Sequence, residues 1–410
     1  MKAVIIGAGL GGLLAGAKLA KAGYDVEIFE RLPFIGGRFA NLDYKGFKLS
    51  TGALHMIPHG SRGPLASMLR EVGVKVDIKT SFPMAVIRTE KDGDIMFNDF
   101  RKILSMQERI KLLYLSLVSR IFKPGDQISY KDWILQYFDN DFLLKLADSF
   151  CGWALSLQAR DVPACEILEI INNIYRYGGP GIPVGGCGAV TGALADVISS
   201  NGGKINTKTC VDKIIIDKDR ARGISAGGKN TGSDIVISDI GHYETSRMYD
   251  CGDEEYLRKI KNVRPSRGIK ICLSSDEPLI GHSGVLFTPS AKRINGINEV
   301  TNVDPSLAPP GKHLVMSHQA MLSDDLEQEI NLGLHDLENL FPDKKYEVLL
   351  VQSYSNGWPV NRAASGSDIG NTTPVRDLYV VGDGAKGKGG IEVEGVAIGV
   401  GNVMREMGIK

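Results

Sequence analysis

The sequence lacks long hydrophobic runs and an excess of charge of either sign. No stretch of its 410 residues approaches the ~20 consecutive apolar residues of a membrane-spanning helix. Lysine plus arginine and aspartate plus glutamate number 48 each, so the net charge is near zero. A broad electrostatic attraction to nucleic acid is therefore not expected, and we predict no nucleic-acid partner.

Cysteine is sparse, and its spacing excludes two common uses. The six cysteines contain no C-x-x-C pair, so neither a zinc site nor a redox disulfide is predicted. The seven histidines show no ligand spacing either, and we predict no metal. This cysteine usage is typical of a reducing compartment, so we expect a cytoplasmic protein. Lys18 and Lys21 interrupt the apolar N-terminal segment, which argues against a signal peptide.

Glycine, by contrast, is abundant, with 49 residues, and its first cluster has the pattern of a nucleotide-binding turn. Residues 2–6 form a β-branched run that predicts a buried strand of a parallel sheet. The turn "GAGLGG" follows, then a helical pattern over 13–22 and a second strand that ends at Glu30. A G-x-G-x-x-G motif alone is weak evidence, but this strand–turn–helix–strand–acid order is specific for a dinucleotide site.

Each part of this unit has a predicted task. Gly7 permits the tight turn, Gly9 lets the backbone approach a pyrophosphate, and Gly12 lets the helix pack on the strand. Glu30 is predicted to accept hydrogen bonds from the adenosine ribose, as in sites for NAD or FAD. The neighbouring Arg31 leaves NADP as an alternative cofactor. The predicted cofactor-binding residues here are Gly7, Gly9, Leu10, Gly11, Gly12, Glu30 and Arg31.

A second glycine pair follows at once, in "ERLPFIGGR" at 30–38. This stretch resembles the second signature of the FAD family that includes amine oxidases, protoporphyrinogen oxidases and carotenoid desaturases. The resemblance implies that the cofactor is FAD. Gly36 and Gly37 would let the chain pass close to the extended cofactor, and Arg38 would offer donors to its phosphates.

Three later segments extend the resemblance. "FKLSTGALHMI", at 47–57, is similar to the segment beneath the flavin ring, and "VRDLYVVGDGAKGKGGIEVEGVAIGVGNVM", at 375–404, resembles the last FAD element of the family. The middle segment, at 177–217, implies a backbone contact with adenine. The cofactor-binding residues implied by these segments are Gly52, Ala53, Leu54, Val211, Gly382, Asp383, Ile391, Glu392 and Val393.

The resemblance spans nearly the whole chain and implies an α/β fold. A Rossmann-like FAD-binding domain, with a parallel sheet in three layers, is expected from the discontinuous segments 1–78, 181–238 and 356–410. An α+β substrate domain with a mixed sheet and helices is expected from 79–180 and 239–355. Within it, 80–180 is helical in pattern and 236–355 alternates in strand fashion.

The implied chemistry is hydride or electron transfer at a flavin. "SDIGHYETSRMY" and "NGWPVNRA" resemble the phytoene desaturase and carotenoid isomerase branch, which implies an apolar, isoprenoid or carotenoid-like substrate. An amine or protoporphyrinogen oxidase, a redox-neutral isomerase, and a non-catalytic binding protein of the GDP-dissociation-inhibitor type stay open. The electron acceptor, whether oxygen, a quinone or another molecule, is not indicated. Gly186, Gly188 and Gly192 leave a second site for NAD(P)H as an alternative.

Two side chains are candidate catalytic residues. His55 lies in the segment expected beneath the flavin, and Trp358 could line the substrate pocket. For both, ordinary packing is the competing interpretation. A third feature, the mixture of apolar and cationic residues over 103–122, is typical of a membrane-surface helix as well as of a half-buried one. Peripheral membrane contact, and hence location at a membrane surface, stays open.

Overall fold

A computed structural model of the chain describes residues 1–52, 54–119, 123–354 and 362–409. The first of its two large sheets is parallel and five-stranded. In spatial order its strands are Leu378–Val380, Ile235–Ser238, Lys2–Ile6, Asp25–Phe29 and Lys204–Asn206. The β-branched runs of the inner strands Lys2–Ile6 and Ile235–Ser238 are buried apart from Lys2, as strands covered on both faces require.

Covering layers lie on both faces of this sheet, because side chains alternate along each strand. Ala3 and Ile5 pack under the helices, whereas Val4 and Ile6 pack on a small antiparallel sheet. The helices are Leu10–Lys21, Pro64–Glu71, Cys187–Ser200 and Glu392–Glu406. The small sheet consists of Lys213–Asp217, Arg220–Ala226 and Lys229–Gly232. The predicted three-layer, Rossmann-like arrangement is thereby confirmed.

The second large sheet is mixed and seven-stranded. In spatial order its strands are Glu347–Tyr354, Gly268–Ser275, His313–Ala320, Gly296–Glu299, Val285–Phe287, Ala85–Thr89 and Gly93–Met96. The prediction that 80–180 is helical is wrong at its start, where two strands form a hairpin. The first of them pairs in parallel with Val285–Phe287. A pairing between such distant segments leaves no local periodic signal.

Helices enclose the mixed sheet. The bundle on one side packs into a single apolar cluster and consists of Met106–Val118, Tyr130–Leu135, Asp141–Leu155 and Ala164–Tyr177. Ser105 and Glu108 form a capping box at the start of the first of these helices, which fixes where it begins. The remaining helices are Gly241–Ser246, Glu254–Asn262 and Leu326–Leu340. Within the described ranges, every helix is too short or too polar to cross a bilayer.

Short strand pairs connect the layers. They are Asn41–Tyr44 with Phe47–Ser50, Ile78–Thr80 with Gly181–Pro183, and Pro265–Ser266 with Arg362–Ala363. All strands of the parallel sheet come from the three segments assigned to the FAD domain, and all strands of the mixed sheet come from the two other segments. The domain boundaries themselves stay a prediction.

Candidate cofactor and substrate site

A cavity of about 850 Å³ is lined by residues from both large sheets. This volume lies in the upper part of the ~300–1,000 Å³ range of ligand sites. One end of the cavity meets the carboxyl ends of the parallel strands, where Ile6, Phe29 and Val211 contribute to the wall. Ligands of open parallel sheets bind at that edge.

The first glycine turn forms part of this wall. Gly7, Gly9, Leu10 and Gly11 line the cavity, and the helix Leu10–Lys21 begins directly at the turn. Gly12 does not line the cavity, because it faces the turn itself. A methyl group there would collide with the carbonyl oxygen of Gly7. The backbone N–H groups of a helix start are suited to a phosphate, so this wall fits the pyrophosphate of a dinucleotide.

Glu30 is buried beside this turn. Its carboxylate accepts hydrogen bonds from the Ala8 N–H at 2.7 Å and from the Leu32 N–H at 2.8 Å. Glu30 and Arg31 both line the cavity. The acid therefore ties the glycine turn to the loop after the second strand, and its contact with a ribose stays a prediction.

The second glycine pair packs directly on the first turn. The Gly36 N–H donates to the Ala8 carbonyl oxygen at 2.7 Å, and Gly36 forms a parallel bridge with Gly9. Gly37 has a φ of +56°, a left-handed conformation that glycine adopts without strain. The pair thus turns the chain so that the next residue, Arg38, lines the cavity.

Arg38 forms an ion pair with Asp383, which follows the strand Leu378–Val380. Both side chains line the cavity and are about one-fifth exposed, at 17% and 23%. The N-terminal and C-terminal signatures therefore meet across one cleft. A guanidinium is a strong donor to phosphate, and contact of Arg38 with the phosphates of FAD stays a prediction.

A buried acid that the sequence analysis missed lies beneath the glycine turn. Asp239 follows the strand Ile235–Ser238 and accepts a hydrogen bond from the Gly12 N–H. Among the described residues, its Oδ2 atom has no hydrogen-bond partner. Burial, with smaller contributions from the charges of Glu30 and Asp383, raises the pKa of this carboxyl to about 8. A neutral acid at neutral pH is compatible with a neighbouring diphosphate.

The segment predicted to lie beneath the flavin joins the same wall. Gly52 and Leu54 line the cavity, and the Thr51 hydroxyl donates to the Gly37 carbonyl oxygen at 2.7 Å. Ala53 lies outside the described residues, as does Trp358, the second candidate catalytic residue. The hydrogen bond from Thr51 fixes this segment to the Gly-Gly-Arg loop.

His55 is fully buried and is not among the residues that line the cavity. Its Nε2 lies 2.7 Å from the Lys48 carbonyl oxygen, and its Nδ1 accepts from the Cys187 N–H at 3.1 Å. Burial lowers the pKa of the imidazole to about 4, so the ring is neutral at neutral pH. With both ring nitrogens engaged, the geometry favours a positioning role, and catalysis by His55 stays a prediction.

The same contacts occupy the helix start at which the sequence left a second dinucleotide site open. The helix Cys187–Ser200 begins after Gly186, and the Gly188 N–H donates to Asn41 Oδ1 at 2.7 Å. His55 engages the N–H of Cys187. The N–H groups that a second pyrophosphate would require are therefore bound to side chains of the chain itself.

A buried lysine supports the flavin segment from the mixed sheet. Lys270 lies on the strand Gly268–Ser275 with its side chain fully buried. Its ammonium donates to both the carbonyl and the hydroxyl oxygen of Ser50, each at 2.6 Å. Burial lowers the pKa of this lysine. The strand pattern gave no signal for it, since a lysine in an alternating strand usually faces solvent.

The last FAD-like element reaches the cavity at a helix start. Ile391, Glu392 and Val393 line the cavity where the helix Glu392–Glu406 begins. Glu394, one position further, is buried and accepts from the Leu65 N–H at 2.8 Å. Burial raises the pKa of Glu394 to about 7. The N-terminus of a helix is electropositive, which suits the reduced, more negative form of a flavin.

The other end of the cavity is apolar. We call it the apolar end, and it is lined by Leu54, Met56, Ala85, Phe97, Phe150, Trp153, Val285 and Phe287, which belong to one cluster. His318 and Tyr354 contribute polar groups nearby, and the His318 ring lies 6.4 Å from those of Trp153 and Tyr354. Leu54 belongs both to this cluster and to the predicted flavin segment, so the two ends adjoin.

Comparisons with known proteins agree with this geometry. The sequence profile of the family described as flavin containing amine oxidoreductase matches residues 10–396. A solved structure of an oxidoreductase from Methanosarcina mazei is 53% identical and covers 99% of this chain and 100% of its own, with a TM-score of 0.96. An uncharacterized protein of Methanocaldococcus jannaschii is 47% identical over 98% of both chains. A chloroplastic prolycopene isomerase of an Oncidium hybrid cultivar is 24% identical over 93% of this chain and 79% of its own.

The donors at the glycine turn, the acid at the second strand and the Arg38–Asp383 pair line one cavity. The family match, over residues 10–396, includes the end of the turn, the acid and the ion pair. The chain belongs to the flavin-containing amine oxidoreductase family and is an FAD-dependent oxidoreductase.

Proposed function

We propose that this enzyme takes hydride from an apolar, isoprenoid or carotenoid-like substrate, in the manner of a phytoene desaturase. The observation that carries the proposal is the apolar end of the cavity, whose walls are aliphatic and aromatic side chains. They come from the helix Asp141–Leu155, the mixed sheet and the segment after the strand Phe47–Ser50, together with Phe97. Burial of a hydrocarbon against such walls is favourable by roughly 25 cal/mol for each Å² removed from water. The prolycopene isomerase relative supports the same substrate class.

The chain's own residues would hold both reactants. Gly7–Gly11 backbone groups, Glu30 and Arg38 would bind the nucleotide part of FAD, while Gly52 and Leu54 would lie beneath its ring. The chemistry that bound FAD supplies is hydride or electron transfer. Since Leu54 adjoins both ends, a hydrocarbon in the apolar end would lie next to the ring. The enclosed aromatic walls would exclude water from that contact.

A redox-neutral isomerase is the second candidate for the function of this enzyme. The curated relative described above is an isomerase, and the apolar end would hold a polyene before and after isomerisation equally well. The non-catalytic hypothesis of the GDP-dissociation-inhibitor type is set aside, because the chain is an oxidoreductase.

The test is the flavin spectrum of the FAD-loaded enzyme during anaerobic incubation with detergent-dispersed phytoene, with an aliphatic diamine, or with protoporphyrinogen. We expect phytoene to bleach the flavin and to yield a product with additional conjugated double bonds. Bleaching by the diamine or by protoporphyrinogen alone would overturn the proposal. Conversion of a cis-polyene by the pre-reduced enzyme, without net bleaching, would favour the isomerase.

A variant of the apolar end sharpens this test. Ala85→Leu adds volume to the cavity wall and is expected to slow bleaching by phytoene while the bound FAD retains its spectrum. Ala193→Leu, on the helix Cys187–Ser200 and away from the cavity lining, is the control with the same change of side chain. Equal rates in the two variants would place the substrate elsewhere.

A further inference from the structure

The helix Met106–Val118 is apolar on two opposite faces. On one face, Leu112 and Leu115 pack into the cluster of the helical bundle. On the other face, the side chains are 55–68% exposed and belong to Met106, Ile110, Leu113, Tyr114 and Leu117. Their spacing places them in a single stripe along the helix, which we call the exposed stripe. A contiguous exposed apolar surface of this kind marks an interaction site more often than an ordinary solvated face.

Basic residues predominate in the sequence of the exposed stripe, although Lys102 pairs with Asp99 at 2.9 Å and Lys123 with Glu169 at 3.2 Å. Residues 101–123 contain six lysines and arginines but only one acid, Glu108. Glu108 is engaged at the helix start, where Asn140 and Ser105 donate to it. Lys111 lies on the exposed helix and reaches the Tyr137 carbonyl oxygen at 3.1 Å. The surface therefore combines apolar side chains with basic ones, the composition of helices that lie in a membrane interface.

The buried face of the same helix is connected with the apolar end of the cavity. Phe97, which lines the cavity, lies 5.5 Å from Phe100 between ring centroids. Phe100 packs into the same cluster as the buried face of the helix, and so does Ile174, another cavity-lining residue. One apolar cluster thus connects the underside of the helix with the wall of the cavity.

We infer that the helix Met106–Val118 docks the enzyme on an anionic lipid bilayer. The exposed stripe enters the boundary between head groups and acyl chains, and the surrounding lysines and arginines contact the anionic head groups. The inference rests on the proposed function in one respect: a hydrocarbon substrate dissolves in the bilayer, so docking brings the apolar end of the cavity to its source. The occupant of the surface is lipid, and a second copy of this chain is the competing occupant.

The test uses the FAD-loaded enzyme and vesicle flotation, which needs no turnover. Vesicles of phosphatidylglycerol and phosphatidylcholine in equal parts should carry the enzyme upwards, and vesicles of phosphatidylcholine alone should carry much less. Leu113→Glu combined with Leu117→Glu should weaken binding about tenfold or more, because two apolar side chains are lost from the interface. Leu326→Glu, at another exposed leucine, should bind like the unchanged enzyme.

A second pair of variants tests the charge. Arg101→Gln and Lys111→Gln should each reduce binding to the anionic vesicles about fivefold, as expected for about 1 kcal/mol per basic residue. Added salt should reduce binding of the unchanged enzyme in the same direction. The flavin spectrum of each variant reports whether it remains folded.

Three results would overturn the inference: failure to float with the anionic vesicles, equal flotation of the double-leucine variant, or a dimer in light scattering that the same variant dissociates. The last result would assign the exposed stripe to a second copy of the chain. Bleaching by detergent-dispersed phytoene requires no vesicle, so it distinguishes a failure of docking from a failure of the proposed function.

Discussion

Arg38 and Asp383 form an ion pair across 345 positions of the chain, and both lie in the wall of the cavity. The pair joins the loop after the second parallel strand to the loop after the last one. It therefore links the N-terminal and C-terminal segments that line the cavity.

The first prediction concerns this pair. Arg38→Met should weaken FAD binding about 10- to 100-fold, the loss expected when a charged donor is removed from a charged acceptor. The ratio of flavin to protein absorbance after dialysis measures the loss. Arg220→Gln is the control, since Arg220 pairs with Asp377 at 3.0 Å away from the cavity. Equal flavin retention by the two variants would contradict the assignment of Arg38 to the cofactor.

The second prediction separates the two glycine motifs. Gly12→Ala should abolish FAD binding, because its methyl group collides with the Gly7 carbonyl and displaces the turn. Gly192→Ala should retain FAD, since no atom lies within 4 Å of a methyl group there. It should also stabilise the protein by up to ~1 kcal/mol, as expected for alanine in place of glycine within a helix. Loss of FAD in Gly192→Ala would show that FAD binding depends on the second motif as well as on the first.

The third prediction is a pH dependence. FAD binding places a diphosphate near Asp239, which disfavours the ionised carboxylate, so the bound state retains the proton. The Kd for FAD should therefore rise about tenfold per pH unit above the pKa of about 8, and stay flat below it. Asp239→Asn should remove this rise, and Asp377→Asn should leave it unchanged. Quenching of FAD fluorescence in titrations at several pH values measures the effect.

Asp239 should also make the folding stability of the protein fall as the pH rises. The pKa of this carboxyl is higher in the folded protein than in the unfolded chain, so the folded state binds more protons between about pH 4 and pH 8. The stability of the cofactor-free protein should fall across this range relative to Asp239→Asn. Thermal melts of the two proteins at several pH values measure this effect. A difference in stability that stays constant between about pH 4 and pH 8 would show that Asp239 does not titrate in this range.

The fourth prediction concerns Lys270. Burial lowers the pKa of Lys270 from its ordinary value of 10.5. At a pH between the lowered value and 10.5, the lysine is protonated in the unfolded chain but not in the folded protein. Stability relative to Lys270→Met should therefore rise with pH in this window. The same variant should slow flavin reduction while retaining FAD, because Ser50 loses the ammonium that holds the flavin segment. Thermal melts across pH and stopped-flow absorbance measure the two effects.

The fifth prediction tests His55. A neutral imidazole with a pKa of about 4 does not titrate near neutral pH, so His55→Gln should lower thermal stability without changing the pH profile of flavin reduction. His335→Gln, at an exposed histidine, should change neither property. An ionisation that disappears from the pH profile of His55→Gln would establish proton transfer by this residue.

Much of the cradle could be predicted from local sequence. The order strand, glycine turn, helix, strand and acid defines the first unit without knowledge of distant contacts, and Gly7, Gly9 and Glu30 lie in the cavity wall as that order implies. The role of the second glycine pair needed the resemblance to an FAD family. Its physical basis, the contact of Gly36 with Ala8 and Gly9, is visible only in the structure.

The residues that sequence analysis missed depend on long-range packing. Asp239 follows an ordinary strand and Lys270 interrupts one. Only the neighbouring layers bury the Lys270 side chain and the Oδ2 atom of Asp239. His55 was assigned by its position along the chain, yet its ring turns away from the cavity towards the helix start at Cys187. The hairpin at 85–96 was missed because its partner strand in the sheet comes 200 positions later.

The bridge between Gly9 and Gly36 has a consequence for biosynthesis. The glycine turn and the second glycine pair are translated early, but the strand before the turn pairs with Ile235–Ser238, which is translated about 230 residues later. The strand Leu378–Val380 and the helix Glu392–Glu406 reach this region only after all the intervening segments have been translated. The complete cradle therefore cannot form before translation has reached Glu406.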